Sequence, residues 1–189
     1  MGRMTALALA FALTPLACEK RAETGSTAAP AESTAAPARA GLLEAGDEAP
    51  KVEAVAHNGQ RMSLADLRGK PVVVYFYPKD DTPGCTVEAQ GFRDEWKRLS
   101  SAGAVVLGVS TDDNVSHRAF ASKYELPFLL LPDSDQTIAK AFGVPIVNGH
   151  AKRVTFVIDK QGRIAKVFPA VTPKGHADEV IVAVSALDS

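Results

Sequence analysis

Along this chain the apolar positions switch repeatedly between two periods. Residues 71–77 (PVVVYFY) form an unbroken β-branched and aromatic run, the pattern of a central strand covered on both faces. Residues 104–109 (AVVLGV) read as a second such strand, and residues 128–131 as a short third. Between them the period lengthens. Ala89, Phe92, Trp96 and Leu99 fall at helical spacing and predict one helix over 85–99; His117, Phe120, Ala121 and Tyr124 predict the next. Asp133-Ser134-Asp135-Gln136 offers a helix start and Gly143 its stop. Asn58-Gly59, between residues 52–56 and 61–63, predicts an N-terminal β-hairpin. Residues 153–158 and 163–168 flank Asp159-Lys160-Gln161-Gly162, a second hairpin turn. Thr172-Pro173 opens a closing helix with proline in its first turn, and Val180, Ile181, Val184 and Leu187 form its apolar stripe. The pattern predicts one α/β domain over residues 42–189, a central sheet of mixed strand direction flanked by helices.

The first forty residues follow neither period. Residues 1–17 (MGRMTALALAFALTPLA) carry one early positive charge, Arg3, then an apolar core too short to span a bilayer comfortably, then small residues. That is the layout of a secretory signal. Cys18 directly after Ala17 resembles the lipobox of bacterial lipoproteins, which implies cleavage before Cys18 and acylation of that residue. Pro15 stands where the lipobox usually has leucine, so an ordinary cleaved signal or an uncleaved anchor stay open. Residues 18–41 are rich in Ala, Pro, Ser and Thr, with the hexamer Ser-Thr-Ala-Ala-Pro-Ala occurring twice. Nothing there can be buried against the entropy of ordering, so the segment reads as a disordered tether with a reach of about 25 Å. The expected location is the periplasmic face of a bacterial membrane, or the soluble periplasm if Cys18 is not acylated. Glu19 after the cysteine points to an outer-membrane destination.

Composition removes several classes of function. The chain has 46% hydrophobic and 23% charged residues, as soluble domains do, and a net charge of -1 from 21 basic and 22 acidic residues. No footprint for nucleic acid is present. Two cysteines cannot build a disulfide scaffold or a cysteine-rich zinc site. His57, His117, His150 and His176 lack metal-ligand spacing; His117 packs on its helix and the others read as turn or loop residues. Asp112-Asp113 follows a strand and caps the next helix. There is no glycine-rich phosphate loop and no polybasic membrane patch.

One cysteine stands in a setting that suits chemistry. Cys85 follows a buried strand and Pro83-Gly84 at the start of a helix. In open α/β sheets, ligands gather beyond the carboxyl ends of strands. The helix dipole and free first-turn N–H groups there favour an anion, so Cys85 reads as a reactive thiolate rather than a core residue.

Pro78-x-x-x-Thr82-x-x-Cys85 resembles the active-site motif of peroxiredoxins. The fuller run Pro78-Lys79-Asp80-Asp81-Thr82-Pro83-Gly84-Cys85-Thr86-Val87-Glu88-Ala89 is similar to the bacterioferritin-comigratory-protein (BCP)/PrxQ branch, and Arg153-Val154-Thr155-Phe156-Val157-Ile158-Asp159 resembles that branch's arginine-bearing strand. The resemblance covers residues 42–189. It implies a thioredoxin-like fold and a thiol peroxidase that needs no metal, haem or other cofactor. It further implies that Cys85 attacks the hydroperoxide, Thr82 holds it in line, Arg153 favours the thiolate and stabilises the leaving oxygen, Glu88 orients Arg153, and Pro78 shields the sulfur. Taken singly, each has a plainer reading: Pro78 and Thr82 as turn residues, Glu88 and Arg153 as solvated charges.

The chain also departs from that branch. Many members carry a resolving cysteine five residues after the first; here the position is Gln90. A one-cysteine cycle follows, with an external thiol (a thioredoxin-like protein or a small thiol) as reductant. Cys18 could reach Cys85 only if it stayed free of lipid. The branch is usually monomeric, though dimers are common in the wider family. Two other classes compete. A thiol–disulfide oxidoreductase would want a Cys-x-x-Cys pair, which is absent. A redox sensor or thioredoxin-fold binding module would share the first step and differ by not turning over.

Overall fold

The computed structural model describes residues 41–188. The expected signal over residues 1–17, the tether up to residue 40 and Cys18 lie outside them. Gly41, the last residue assigned to the tether, is described, and its carbonyl lies against Gly143.

The elements follow in chain order. β1 (Glu53–Val55) and β2 (Arg61–Ser63) form the N-terminal hairpin, and a 3-10 turn at Leu64–Leu67 leads to β3 (Val72–Phe76). Then come α1 (Pro83–Asp94), α2 (Trp96–Ser101), β4 (Val105–Ser110), α3 (Asn114–Lys123), β5 (Leu129–Pro132) and α4 (Thr137–Phe142). A two-residue pair, β6 (Ile146–Val147) and β7 (His150–Ala151), precedes β8 (Val154–Ile158), β9 (Ile164–Phe168) and α5 (His176–Ser185). No helix of the described residues is long and apolar enough to cross a membrane.

The five-stranded sheet has the order β5-β4-β3-β8-β9. β3, β4 and β5 run parallel, joined by helical crossovers, while β8 and β9 run antiparallel to their neighbours. β3 is central and buried along its whole length, as its unbroken apolar run requires. Its side chains alternate between two cores. Val73, Tyr75 and Tyr77 pack with Phe92, Leu99, Phe120 and Val180 from α1, α2, α3 and α5. Val72, Val74 and Phe76 pack with Ala139 and Phe142 of α4 and with Ala56 and Met62 from the hairpin. This is the expected thioredoxin-like arrangement.

Three expectations need correction. The single helix over 85–99 is two helices: Glu95 sits at φ -90°, ψ 4°, and the break turns Trp96 onto Phe128 while Leu99 still enters the core. The closing helix begins at His176, not at Thr172-Pro173. Gly175, at φ 81°, turns the chain into it, so the proline lies ahead of the first turn. His176 is therefore a buried helix residue, not a turn residue. Its Nε2 lies 2.9 Å from Thr155 Oγ1 on β8, and its ring packs edge-on against Phe92 and Phe168. The short pair β6–β7 had no signal in the periodicity, because two residues are too few to show one.

Candidate active site

The loop from Tyr77 to Thr82 leaves the carboxyl end of β3, and Cys85 is the third residue of α1. Pro83 at the first helical position suits the start of the helix, since its missing N–H has no partner to lose. Gly84 and Cys85 present first-turn N–H groups, for which the helix has no carbonyl four residues upstream.

Strand register brings a distant arginine to this point. β8 pairs antiparallel with β3, and Phe76 lies opposite Val154. Arg153, one residue before β8, thus emerges beside the end of β3 where the cysteine loop begins. Its Nη2 donates to Cys85 Sγ at 3.3 Å. Its Nη1 donates to Glu88 Oε2 in a close ion pair. Glu88 lies one turn along α1 from Cys85, on the same face, as i,i+3 spacing requires. A Cβ on Gly84 would stand 3.3 Å from Arg153 Nη2 and 3.7 Å from Pro173 Cγ, so glycine lets the guanidinium lie over the first turn.

Burial sharpens the electrostatics. Cys85 and Glu88 are each 1% exposed. Burial pushes the Glu88 carboxyl up to about 7 against the pull of Arg153. Its second oxygen, Oε1, is buried with no hydrogen-bond partner. Removal from water weakens Arg153 as a cation, but Glu88 and Cys85 outweigh this and hold it protonated.

The five residues expected at the site fall as follows. Cys85, Arg153 and Glu88 form one bonded cluster. Thr82 stands at the N-cap position of α1 but does not cap it with its side chain; its hydroxyl donates to Lys79 O at 3.0 Å rather than to the sulfur. Pro78 is half-buried at the exit of β3. Cys85 is the one free cysteine among the described residues, and no group of metal-ligating side chains occurs among them.

Sequence reasoning missed what lies behind the loop. Asp80, buried, accepts from Tyr77 Oη and Ser116 Oγ, both at 2.7 Å, and lies 2.8 Å from His117 Nδ1. Its neighbour Asp81 bonds outward to Lys123 Nζ and Tyr124 Oη. A signal did exist: His117 occupies a core position in an otherwise apolar stripe, and a buried histidine needs a polar partner. Asp113 caps α3 as expected, accepting from Val115 and Ser116 N–H groups. Asp112 instead accepts from Asp80 N and Ser110 Oγ.

Comparison with known proteins places this geometry. Residues 45–167 match the family model described as the AhpC/TSA family. A Coxiella burnetii protein described as a Bcp-type peroxiredoxin is 47% identical over 146 residues, covering 74% of this chain and 97% of its own length. The crystal structure of peroxidoxin BcpB from Mycobacterium tuberculosis superposes with a TM-score of 0.73 at 34% identity, over 78% of this chain and 99% of that one. A Xanthomonas campestris bacterioferritin comigratory protein, solved in a study of its alkyl peroxide reduction activity, gives a TM-score of 0.70 at 33% identity, over 73% of this chain and 92% of its own. A buried cysteine at a helix start, bonded by an arginine from the neighbouring strand, thus sits on a shared fold and a closely related sequence: the chain belongs to the AhpC/TSA family, in the Bcp/PrxQ branch of the peroxiredoxins, and is a thiol-dependent peroxidase.

Proposed function

We propose that Cys85 is the peroxidatic thiol, that hydrogen peroxide and organic hydroperoxides are its substrates, and that an external thiol completes a one-cysteine cycle. The observation that carries this reading is the 3.3 Å hydrogen bond from Arg153 Nη2 to Cys85 Sγ at the first turn of α1. The alkyl peroxide activity of the Xanthomonas relative supports the wider substrate range.

In the first step a sulfur lone pair forms an S–O bond to one peroxide oxygen while the O–O bond breaks. The leaving oxygen departs with the bonding pair and takes a proton, giving water or an alcohol. Cys85, oxidised by two electrons, becomes a sulfenic acid. Arg153 spans the sulfur and the developing charge, and Glu88 holds it there. The Thr82 hydroxyl, already donating to Lys79 O, keeps its lone pairs to accept from the substrate O–H. Pro78 limits access of water to the sulfur. One thiol then displaces water from the sulfenic acid as a mixed disulfide, and a second thiol releases Cys85 as the thiol. Gln90, where many relatives place a resolving cysteine, supports the external route.

The test is rapid mixing of the reduced protein with one equivalent of hydrogen peroxide, followed by Trp96 fluorescence and a sulfenic-acid trap read by mass spectrometry. Fast trapping at Cys85, lost in Cys85→Ser together with all turnover, is the expected result. Reaction no faster than a free thiol overturns the assignment.

The short apolar start and the cysteine at residue 18 support an exported, lipid-tethered protein at the periplasmic face of a membrane. Expressed in a bacterium, the full chain should partition into the detergent phase and Cys18→Ser into the aqueous phase. Equal partitioning rejects acylation.

A further inference from the structure

The peroxidase chemistry uses one side of the loop between β3 and α1. The other side holds a buried charged cluster that makes no contact with Cys85, Arg153 or Glu88 in the hydrogen bonds above. Asp80 is its centre. Tyr77 Oη donates to Oδ1 at 2.7 Å and Ser116 Oγ to Oδ2 at 2.7 Å. His117 Nδ1, 2.8 Å from Oδ2, must be the donor there, because an ionised carboxylate only accepts. The Asp80 backbone N–H is also tied, to Asp112 Oδ2 at 2.9 Å. Burial raises the Asp80 carboxyl, but the bonds from His117, Ser116 and Tyr77 outweigh it and hold the group below its ordinary value, as an anion.

A buried carboxylate with three side-chain donors is an expensive way to make a turn. What distinguishes this one is its place. Asp80 lies two residues from both Pro78 and Thr82. Two of its side-chain partners, Ser116 and His117, lie on α3, while Lys123 at the end of α3 and Tyr124 directly after it bond the neighbouring Asp81. Asp81, at φ 56°, turns the chain so that successive carboxylates point opposite ways, one into the protein and one to its surface. α3 thereby acts as a backing plate for the loop. His117 is fully buried and its ring lies against Tyr77, so its imidazole has little freedom to shift.

We propose that the Asp80–His117 pair is a positioning device: it fixes Pro78 and Thr82 relative to Cys85 and so sets the speed of reaction with peroxide without touching substrate. This rests on the assignment of Cys85 and Thr82 above. The exposed Asp81–Lys123 pair is the weaker partner, since both groups are about half exposed and open to screening by salt.

The test compares two reactions of Cys85 in the full chain. Reaction with hydrogen peroxide needs Thr82 in register. Alkylation by iodoacetamide needs only a reactive, reachable sulfur. Asp80→Asn keeps the shape but sets an amide N–H or a neutral oxygen against the His117 and Ser116 donors. It should slow the peroxide reaction at least tenfold and leave alkylation within twofold of the parent. Ser116→Ala, a milder change that guards against misfolding, should slow the peroxide reaction about threefold with alkylation unchanged. Asp81→Ala should stay within twofold in both. Parental peroxide rates in Asp80→Asn and Ser116→Ala, or equal losses in both reactions, overturn the inference. A parent protein that itself reacts with peroxide no faster than a free thiol fails at the earlier step, and the inference falls with it.

Discussion

Glu88 is buried beside Arg153 with one oxygen engaged and the other unpartnered, and its carboxyl titrates at about 7. Ionised, it grips the guanidinium; protonated, it offers only a neutral acceptor. The peroxide reaction should therefore lose rate as pH falls through about 7, and Glu88→Gln should remove that limb of the pH profile. Stability shows the opposite slope. The folded value lies above the ordinary 4.5, so the contribution of Glu88 to stability is fully present below about 4.5 and is lost as pH rises through about 7. Melting of the parent relative to Glu88→Gln should worsen by up to about 3 kcal/mol between those limits. Gly84→Ala should press on Arg153, which a Cβ would meet at 3.3 Å, and slow the peroxide reaction several-fold with little change in melting. The motif made Cys85, Thr82, Pro78 and Glu88 legible in sequence because they are local to one another. Asp80 and His117 were not legible as a pair, since 37 residues separate them and only packing brings α3 behind the loop.

The elements were legible wherever one side of the chain faces a core. β3 and β4 show continuous apolar runs because both their faces are covered, and α5 shows a stripe because one of its faces is. The break between α1 and α2 was hidden, because Phe92, Trp96 and Leu99 keep helical spacing across it and all three find the same core. The start of α4 was placed correctly, though by a mechanism no local pattern reveals. Gln136 stands at the cap position in the left-handed region and its side chain caps nothing; Asp133, three residues earlier and buried, accepts from Ile138 and Ala139 N–H groups at 2.8 Å each. Asp133→Ala should cost about 1–2 kcal/mol in urea denaturation, the size of a lost cap, and leave the peroxide rate unchanged, because α4 packs on the face of the sheet away from Cys85. The antiparallel register of β8 against β3 is the element-scale fact on which the site depends most. A slip by one residue would carry Arg153 to the opposite face of the sheet.

At the scale of the molecule, a net charge of -1 and uncharged substrates leave no long-range steering to screen. Peroxide rates measured in 20 mM and 500 mM salt should agree within twofold; a steep fall would point to a charged substrate instead. The near-balance of charge was readable from composition, whereas the convergence of loop, helix and strand on one sulfur required the sheet order to be known. Gln90 has a consequence that reaches beyond the protein itself. On the proposed one-cysteine cycle, with no other cysteine among the described residues, the oxidised sulfur would persist until an outside thiol reached it. Its fate becomes a race between two visitors. A thiol arriving first returns the enzyme to service, whereas a second peroxide carries the sulfur on to sulfinic acid and retires the molecule. On that cycle the ratio of peroxide to thiol at its surface would set its working life, and the protein would serve as a consumable fuse whenever reductant ran short.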